Sequence, residues 1–318
     1  MALSSRGAGL RGLRPGHAAV ALALLAVACD MMPPPNGPPG SPAPFKLSGI
    51  GDSMMQGANA SALGEQLQHS FAQGTSPNVS SIFSRYQALG FLAGGKEFVS
   101  VSGAQMVGGA NSAAVQAGRI CQQAVKPDRV VLLLGANDVC NRPTVAELHP
   151  VDTFRTALKE ALDTLGAPAC GLPEGAWVHV LSVPRVDRLR GAGLAKDPVG
   201  VAQCLAIWST ISICTIITRE TDQAVLDRIG ARIDAYNQGL AAEVAAADAA
   251  HGGTGGVHFT TDWVGTTADT SAGTYAFGPA DVSNVDCFHP SVTAQRKLAC
   301  IAWETWELGS RDVAACLR

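Results

Sequence analysis

From position 45 onward, short apolar runs alternate with longer stretches in which apolar residues recur every three or four positions. The short runs predict strands at 46–51, 97–102, 129–134, 177–183 and 256–260. The periodic stretches predict helices at 82–89, 112–123, 151–165, 222–249 and 292–308. After Arg129 the third run reads VVLLL without a polar alternation, the pattern of a parallel strand buried on both faces. Strands separated by helices build βαβ units, so the predicted architecture is one parallel sheet with helices on both faces. The glycine-rich 252–256 stretch precedes a strand instead of opening a helix, and so reads as a loop, not a phosphate cradle. There is no internal repeat.

Two stretches stand outside this alternation. Between Asp197 and Arg219 no residue is charged, and Leu205, Ile207, Trp208, Ile211, Ile213 and Ile216 make the stretch apolar. Its length alone would permit a membrane span, which takes about 20 residues. Gln203, Ser209, Thr210, Ser212 and Thr215, with no basic flank on the N-terminal side, argue instead for a buried or partly exposed insertion. Cys204 and Cys214 would staple it. The other stretch is the N-terminus, where Arg6, Arg11 and Arg14 precede an unbroken apolar run at 18–28. That run is too short to span a bilayer and suits a signal-peptide core at 1–28. Ala26-Val27-Ala28 is an A-x-A cleavage site, and Cys29 after it makes the segment resemble a bacterial lipobox, with Ala26 where leucine is preferred. Seven prolines between 30 and 44 favour an extended spacer without a core, so the folded domain is expected to cover 45–318.

Composition narrows the picture further. Charged residues make up 15% of the chain, against about 25% in a typical soluble domain. Its formal charge of −3 gives none of the positive field that a nucleic-acid partner requires. Of nine cysteines, removing Cys29 as an anchor leaves Cys121, Cys140, Cys170, Cys204, Cys214, Cys287, Cys300 and Cys316. An even set in an exported chain suits up to four disulfides, with the pairing open. No CxxC or clustered Cys/His spacing suggests a metal.

Chemistry-bearing residues gather at the predicted strand ends and before the last helix. Gly51-Asp52-Ser53 ends the first strand, Gly103 the second, and Gly135-Ala136-Asn137-Asp138 the third; Asp286-Cys287-Phe288-His289 precedes the final helix. Ligands of open parallel sheets bind beyond the carboxyl ends of the strands, so these segments would converge on one crevice. A serine hydroxyl needs a base to become a nucleophile, and His289 can take its proton if Asp286, three residues earlier, fixes the tautomer. The backbone N–H groups of Ser53 and Gly103 and the side-chain amide of Asn137 are candidate donors to an oxyanion. Were Ser53 to open a helix, the helix dipole would add to them. Asp138 reads as a brace for its loop, His179 and His258 as core or strand-end histidines, and Trp303 and Trp306 as core. His69, His149 and His251 have no partner motif.

Taken together, GDSMMQG at 51–57, SVSGAQ around Gly103, LLLGAND at 132–138 and DCFHPS at 286–291 resemble the SGNH (GDSL) hydrolase family of esterases and lipases. The resemblance implies a flavodoxin-like three-layer α/β/α sandwich with a parallel sheet of about five strands. It also implies Ser53 as nucleophile, Asp286 and His289 as the rest of a triad, Gly103 and Asn137 as oxyanion donors, and no metal or cofactor. Met54 departs from the family's usual leucine, an apolar exchange of similar size. Cys140 after GANDV and the DCFH form are similar to the phospholipase B-like branch. The expected activity is an exported serine esterase or lipase acting on carboxylic esters, held at the cell envelope through a lipidated Cys29 or secreted. Two alternatives are a carbohydrate O-deacetylase or acyltransferase using the same triad, and a non-catalytic surface-binding lipoprotein, against which the intact triad argues.

Overall fold

The computed structural model describes residues 45–91, 95–263, 278–307 and 316. The signal segment, Cys29 and the proline-rich spacer lie outside these residues. Four strands form one parallel sheet in the order β1 (Leu47–Gly51), β2 (Arg129–Leu133), β3 (Trp177–Val180) and β4 (His258–Thr261). Leu47 pairs with Arg129, Arg129 with Trp177, and Trp177 with His258. Every residue of β1 and β2 is buried, as the unbroken apolar run after Arg129 requires of β2.

The fifth predicted strand, 97–102, runs beside the outer edge of β1 but completes only part of a ladder. Leu47 donates to the Gly95 carbonyl, and Glu97, Val99 and Val101 donate to the carbonyls of Leu47, Gly49 and Gly51. The return bonds are taken by side chains: the Glu97 carbonyl accepts from Ser48 Oγ and Gln123 Nε2, and the Gly51 N–H donates to Gln116 Oε1. Polar side chains outcompeting the ladder explain why only the bridge between Leu47 and Lys96 remains regular. With this segment counted, the chain visits one side of β1, then crosses to β2 on the other. The sheet therefore has the flavodoxin-like order, with its switch point between β1 and β2.

The helices are α1 (Ile82–Ala88), α2 (Ala113–Cys121), α3 (Ala136–Cys140), α4 (Val151–Gly166), α5 (Leu189–Leu194), α6 (Pro198–Thr210), α7 (Thr215–Thr218), α8 (Gln223–His251) and α9 (Val292–Trp306). Four of these starts are written in the sequence as side-chain caps: Ser81 accepts from the Ser84 N–H, Asp197 from Gly200, Asp222 from Ala224 and Ser291 from Ala294. Helices α2, α4 and α8 pack in succession on one face of the sheet, and α1 and α9 cover the other. On that second face buried His179 stacks on Trp306 and lies 3.1 Å from Thr305 Oγ1, while Trp303 and Trp306 pack around Tyr86. These are core residues, as expected. His258 stacks on Trp177 at the sheet edge.

The uncharged 198–218 stretch folds as α6 and α7, and among the described residues no helix is long and apolar enough to cross a membrane. The expected Cys204–Cys214 staple is not formed. Cys204 bonds to Cys287 and Cys214 to Cys140, while Cys121 pairs with Cys170 and Cys300 with Cys316. The reason is position: Cys204 lies on the buried side of α6, and Cys214 follows the end of that helix, where the chain turns toward α3. Both bridges tie the insertion to segments that carry the candidate site.

Candidate active site

Strand β1 delivers Asp52 and Ser53 to the carboxyl edge of the sheet. Beyond it the chain makes a single helical turn, with Gln56 N–H on the Asp52 carbonyl, and then departs: Gly57 has φ of +62°, and a Cβ there would lie 2.5 Å from the Gln66 carbonyl oxygen. Ser53 thus opens a turn and not a helix, and the expected helix dipole is absent from this place. Two buried glutamines hold the turn. Gln116 of α2 both donates to and accepts from the Gly51 backbone, and Gln295 of α9 donates to the Met54 carbonyl while accepting from the Phe71 N–H.

At the other end of the chain the 281–291 segment folds back on itself. Val282 bridges Pro290, Ser283 donates to the His289 carbonyl, and Ser291 donates to the Asp281 carbonyl before capping α9. At its tip Cys287 sits in the left-handed region, φ +53°. That turn lets the N–H groups of both Phe288 and His289 reach Asp286 Oδ1, each at 3.0 Å. His289 Nδ1 lies 2.5 Å from Asp286 Oδ2, and its Nε2 lies 2.9 Å from Ser53 Oγ. Hydroxyl, imidazole and carboxylate are in line. Burial by itself would raise the Asp286 carboxyl, but the hydrogen bond and charge of His289 and the amide of Asn59 outweigh it and hold it below the ordinary range.

Asn137, in the first turn of α3, faces the same cleft. Its amide donates to the Ala104 carbonyl at 3.0 Å and, more loosely, to Asp52 Oδ2 at 3.3 Å. Gly135 before it has φ of +122°, and a Cβ there would meet Val183 Cγ2 at 2.5 Å, so the tight entry into α3 needs glycine. Asp138 takes the N–H groups of Met106 and Val107 at 2.7 and 2.9 Å and so holds the 103–107 loop, whereas the sequence reads it as a brace for its own loop. Gly103, φ +83°, is exposed at the start of that loop, near the cleft but outside its lining.

Two buried carboxyls at the site, Asp52 in the cleft wall and Asp138 beside Asn137, hold their protons unusually tightly. Burial pushes Asp52 up to about 7 despite the Met54 N–H and the neighbouring His289, and burial likewise pushes Asp138 to about 6 against its two N–H donors. The cleft itself, lined by Asp52, Ser53, Met54, Ala136, Asn137, Val186, Phe288, His289 and Pro290, holds only about 20 Å³, room for about one water. A wider groove of about 670 Å³ runs between Pro143–Ala146 and α7, but none of the chemistry-bearing residues lines it. Chemistry, not size, marks the site. Among the described residues no group of three His, Cys, Asp or Glu side chains could hold a metal ion.

Sequence reading missed Asn59, Gln116 and Gln295. The glutamines leave a signal, since each occupies a helix position whose neighbours three or four residues away are buried and apolar. Asn59 leaves none, because its partner lies 227 positions away.

Solved structures of similar fold include a lipase/acylhydrolase from Enterococcus faecalis, 16% identical, covering 83% of this chain and 96% of its own with a TM-score of 0.43. Another is an extracellular lipase from Streptomyces rimosus, 20% identical, covering 79% and 94% with a TM-score of 0.42. A third is an esterase from Pseudoalteromonas, 14% identical, covering 82% and 97% with a TM-score of 0.36. Comparison with functionally curated proteins finds none that matches. The model of one family, described as GDSL-like lipase/acylhydrolase, matches residues 48–300, from the first residues of β1 into α9. With that match spanning every segment of the cleft, the chain belongs to the GDSL-like lipase/acylhydrolase family of ester hydrolases.

Proposed function

We propose that the protein is an exported serine esterase that cleaves carboxylic esters through an acyl-serine intermediate. In the first half-reaction His289 Nε2 takes the Ser53 proton as Oγ bonds to the ester carbonyl carbon, and the carbonyl oxygen becomes an oxyanion. Donors for that charge are the Ser53 and Gly103 N–H groups and the Asn137 amide, whose long contact to Asp52 is the one to exchange. Collapse of the intermediate expels the alcohol, which takes the proton from His289. In the second half-reaction a water molecule gives a proton to His289 as it attacks the acyl carbon; the bond from that carbon to Ser53 Oγ then breaks, Oγ takes the proton back from His289, and the acid and free serine are released. Asp286 keeps the imidazole in the tautomer that presents Nε2 to Ser53 and balances the imidazolium charge.

The observation that carries this reading is the chain of contacts Ser53–His289–Asp286, closed across 236 positions of sequence. It is tested by a fluorophosphonate probe followed by mass spectrometry. Labelling is expected on Ser53, with loss of both labelling and ester turnover in Ser53→Ala; labelling elsewhere, or turnover that survives, overturns the reading, and a wild-type protein that neither labels nor turns over esters would favour a non-catalytic binding lipoprotein.

A second reading, removal of short acyl groups such as acetyl from carbohydrates, is favoured by the narrowness of the cleft. In the apolar α6 stretch, Trp208 is buried against the Cys287 carbonyl, and neither it nor Ile211 lines the cleft. Rates on acetylated sugars against long-chain p-nitrophenyl esters separate the two. Export is supported by the A-x-A site and by four disulfides that use every cysteine beyond Cys29.

A further inference from the structure

Loop 59–64 lies against the turn that carries Asp286, and Asn59 makes its hydrogen bonds there. Asn59 closes the loop on itself, its N–H donating to the Gly64 carbonyl and its Oδ1 accepting from the Gly64 N–H at 2.7 Å. Because Oδ1 faces a donor, the amide orientation is fixed, and Nδ2 must point the other way. There it donates to Asp286 Oδ2 at 2.7 Å, the same oxygen that receives His289 Nδ1. The Asn59 carbonyl in turn accepts from Ser283 Oγ, so backbone and side chain grip both ends of the turn that carries Asp286. Asn59 sits in the left-handed region, φ +52°, a conformation asparagine tolerates better than most side chains.

We infer that Asn59 is a positioning residue for the proposed esterase, a fourth member of the Ser53–His289–Asp286 chain that fixes which Asp286 oxygen meets the imidazole. The inference rests on the esterase reading. A carboxylate can rotate between its two oxygens; with Oδ1 held by two backbone N–H groups and Oδ2 by Asn59 and His289, Asp286 has one orientation only. Other charged groups near this turn are Asp52 and Asp138, Asp281 at the start of the segment, paired with Lys297, Lys196 on the Val282 carbonyl and Asn284, and Glu65 just after the Asn59 loop, which pairs with Ser102. None of them makes a hydrogen bond to Asp286.

Two substitutions test it, with Ser53→Ala as the control. Asn59→Gly keeps the backbone conformation without strain and removes the amide; kcat is expected to fall about 10- to 100-fold with KM near the wild-type value. Asn59→Asp keeps the shape but places a second negative charge beside Asp286. That charge stabilises the protonated, non-basic imidazole, so the acid limb of the kcat/KM profile is expected to move up by about one pH unit or more. Wild-type kcat and an unmoved pH profile in both folded variants, with Ser53→Ala inactive, overturn the inference alone. Loss of the fold in both, seen as a collapsed thermal transition, also overturns it, because the amide would then be scaffolding. Turnover surviving in Ser53→Ala removes the esterase reading and this inference together.

Discussion

At the scale of single residues the site is built at the expense of stability. Asp52 and Asp138 are buried carboxyls whose folded forms hold their protons to about pH 7 and 6, against about 3.8 for the free groups. A group raised on folding stabilises the fold most below its unfolded value and loses that contribution as pH climbs through its folded one. These two therefore weaken the protein between about pH 4 and pH 7. Asp286, held low, acts in the opposite sense, but only below the ordinary carboxylate range. Unfolding by urea is thus expected to show a stability that declines between pH 5 and pH 8, and Asp52→Asn should shrink that difference by removing the larger contributor. An unchanged difference would mean that Asp52 is ionised throughout. Asp52 is retained at this cost because it orients two things at once, the Met54 N–H that shapes the turn after Ser53 and the Asn137 amide across the cleft.

The apolar insertion gains its meaning at the scale of elements. Helix α6 sends Cys204 to Cys287 and the Trp208 indole N–H to the Cys287 carbonyl at 3.0 Å, while Gln203 and Lys196 hold Asn284. Cys287 is a non-glycine residue in a left-handed conformation that costs about 1–2 kcal/mol. The insertion is what maintains it. Trp208→Phe, which keeps most of the packing but leaves that carbonyl without its donor, is expected to lower stability by about 1–3 kcal/mol and to lower kcat as His289 loosens. Stability lost with kcat unchanged would reduce Trp208 to a packing residue. Legibility in the sequence also differs by element. The five helices predicted from apolar periodicity appear within a few residues of their predicted bounds, three of them (α1, α8 and α9) with side-chain caps. Helix α6 was not predicted as a helix, because a stretch apolar on all sides has no phase to read. The 97–102 strand was predicted from its pattern, but its ladder depends on whether Gln116, Gln123 and Ser48 reach it, which no local pattern encodes.

For the whole molecule, the proposed export and tether are a claim about where this structure works. The four disulfides join α2 to the turn after α4, α3 to the residue before α7, α6 to the 281–291 turn, and α9 to Cys316. Each closes a loop of the unfolded chain and is worth typically about 2–4 kcal/mol where the compartment keeps it oxidised. Cys29→Ser is expected to move the protein from the membrane fraction to the soluble fraction, with ester turnover unchanged; a distribution that stays as in the wild type would remove the lipid anchor.

What the sequence determined by itself was the alternation of the main strands and helices and the chemistry-bearing groups at the strand ends and before the last helix. Strand and helix periodicities are local, and Gly-Asp-Ser, Gly-Ala-Asn-Asp and Asp-Cys-Phe-His keep their chemistry within a few positions of the chain. What only the tertiary structure decided were the partners: which cysteine meets which, that Asn59 reaches Asp286, and that Gln116 and Gln295 hold the turn around Ser53. Those pairings span tens to hundreds of residues, and a disulfide or hydrogen bond depends on distance and direction in space. Position along the chain supplies neither until the sheet and its helices have packed.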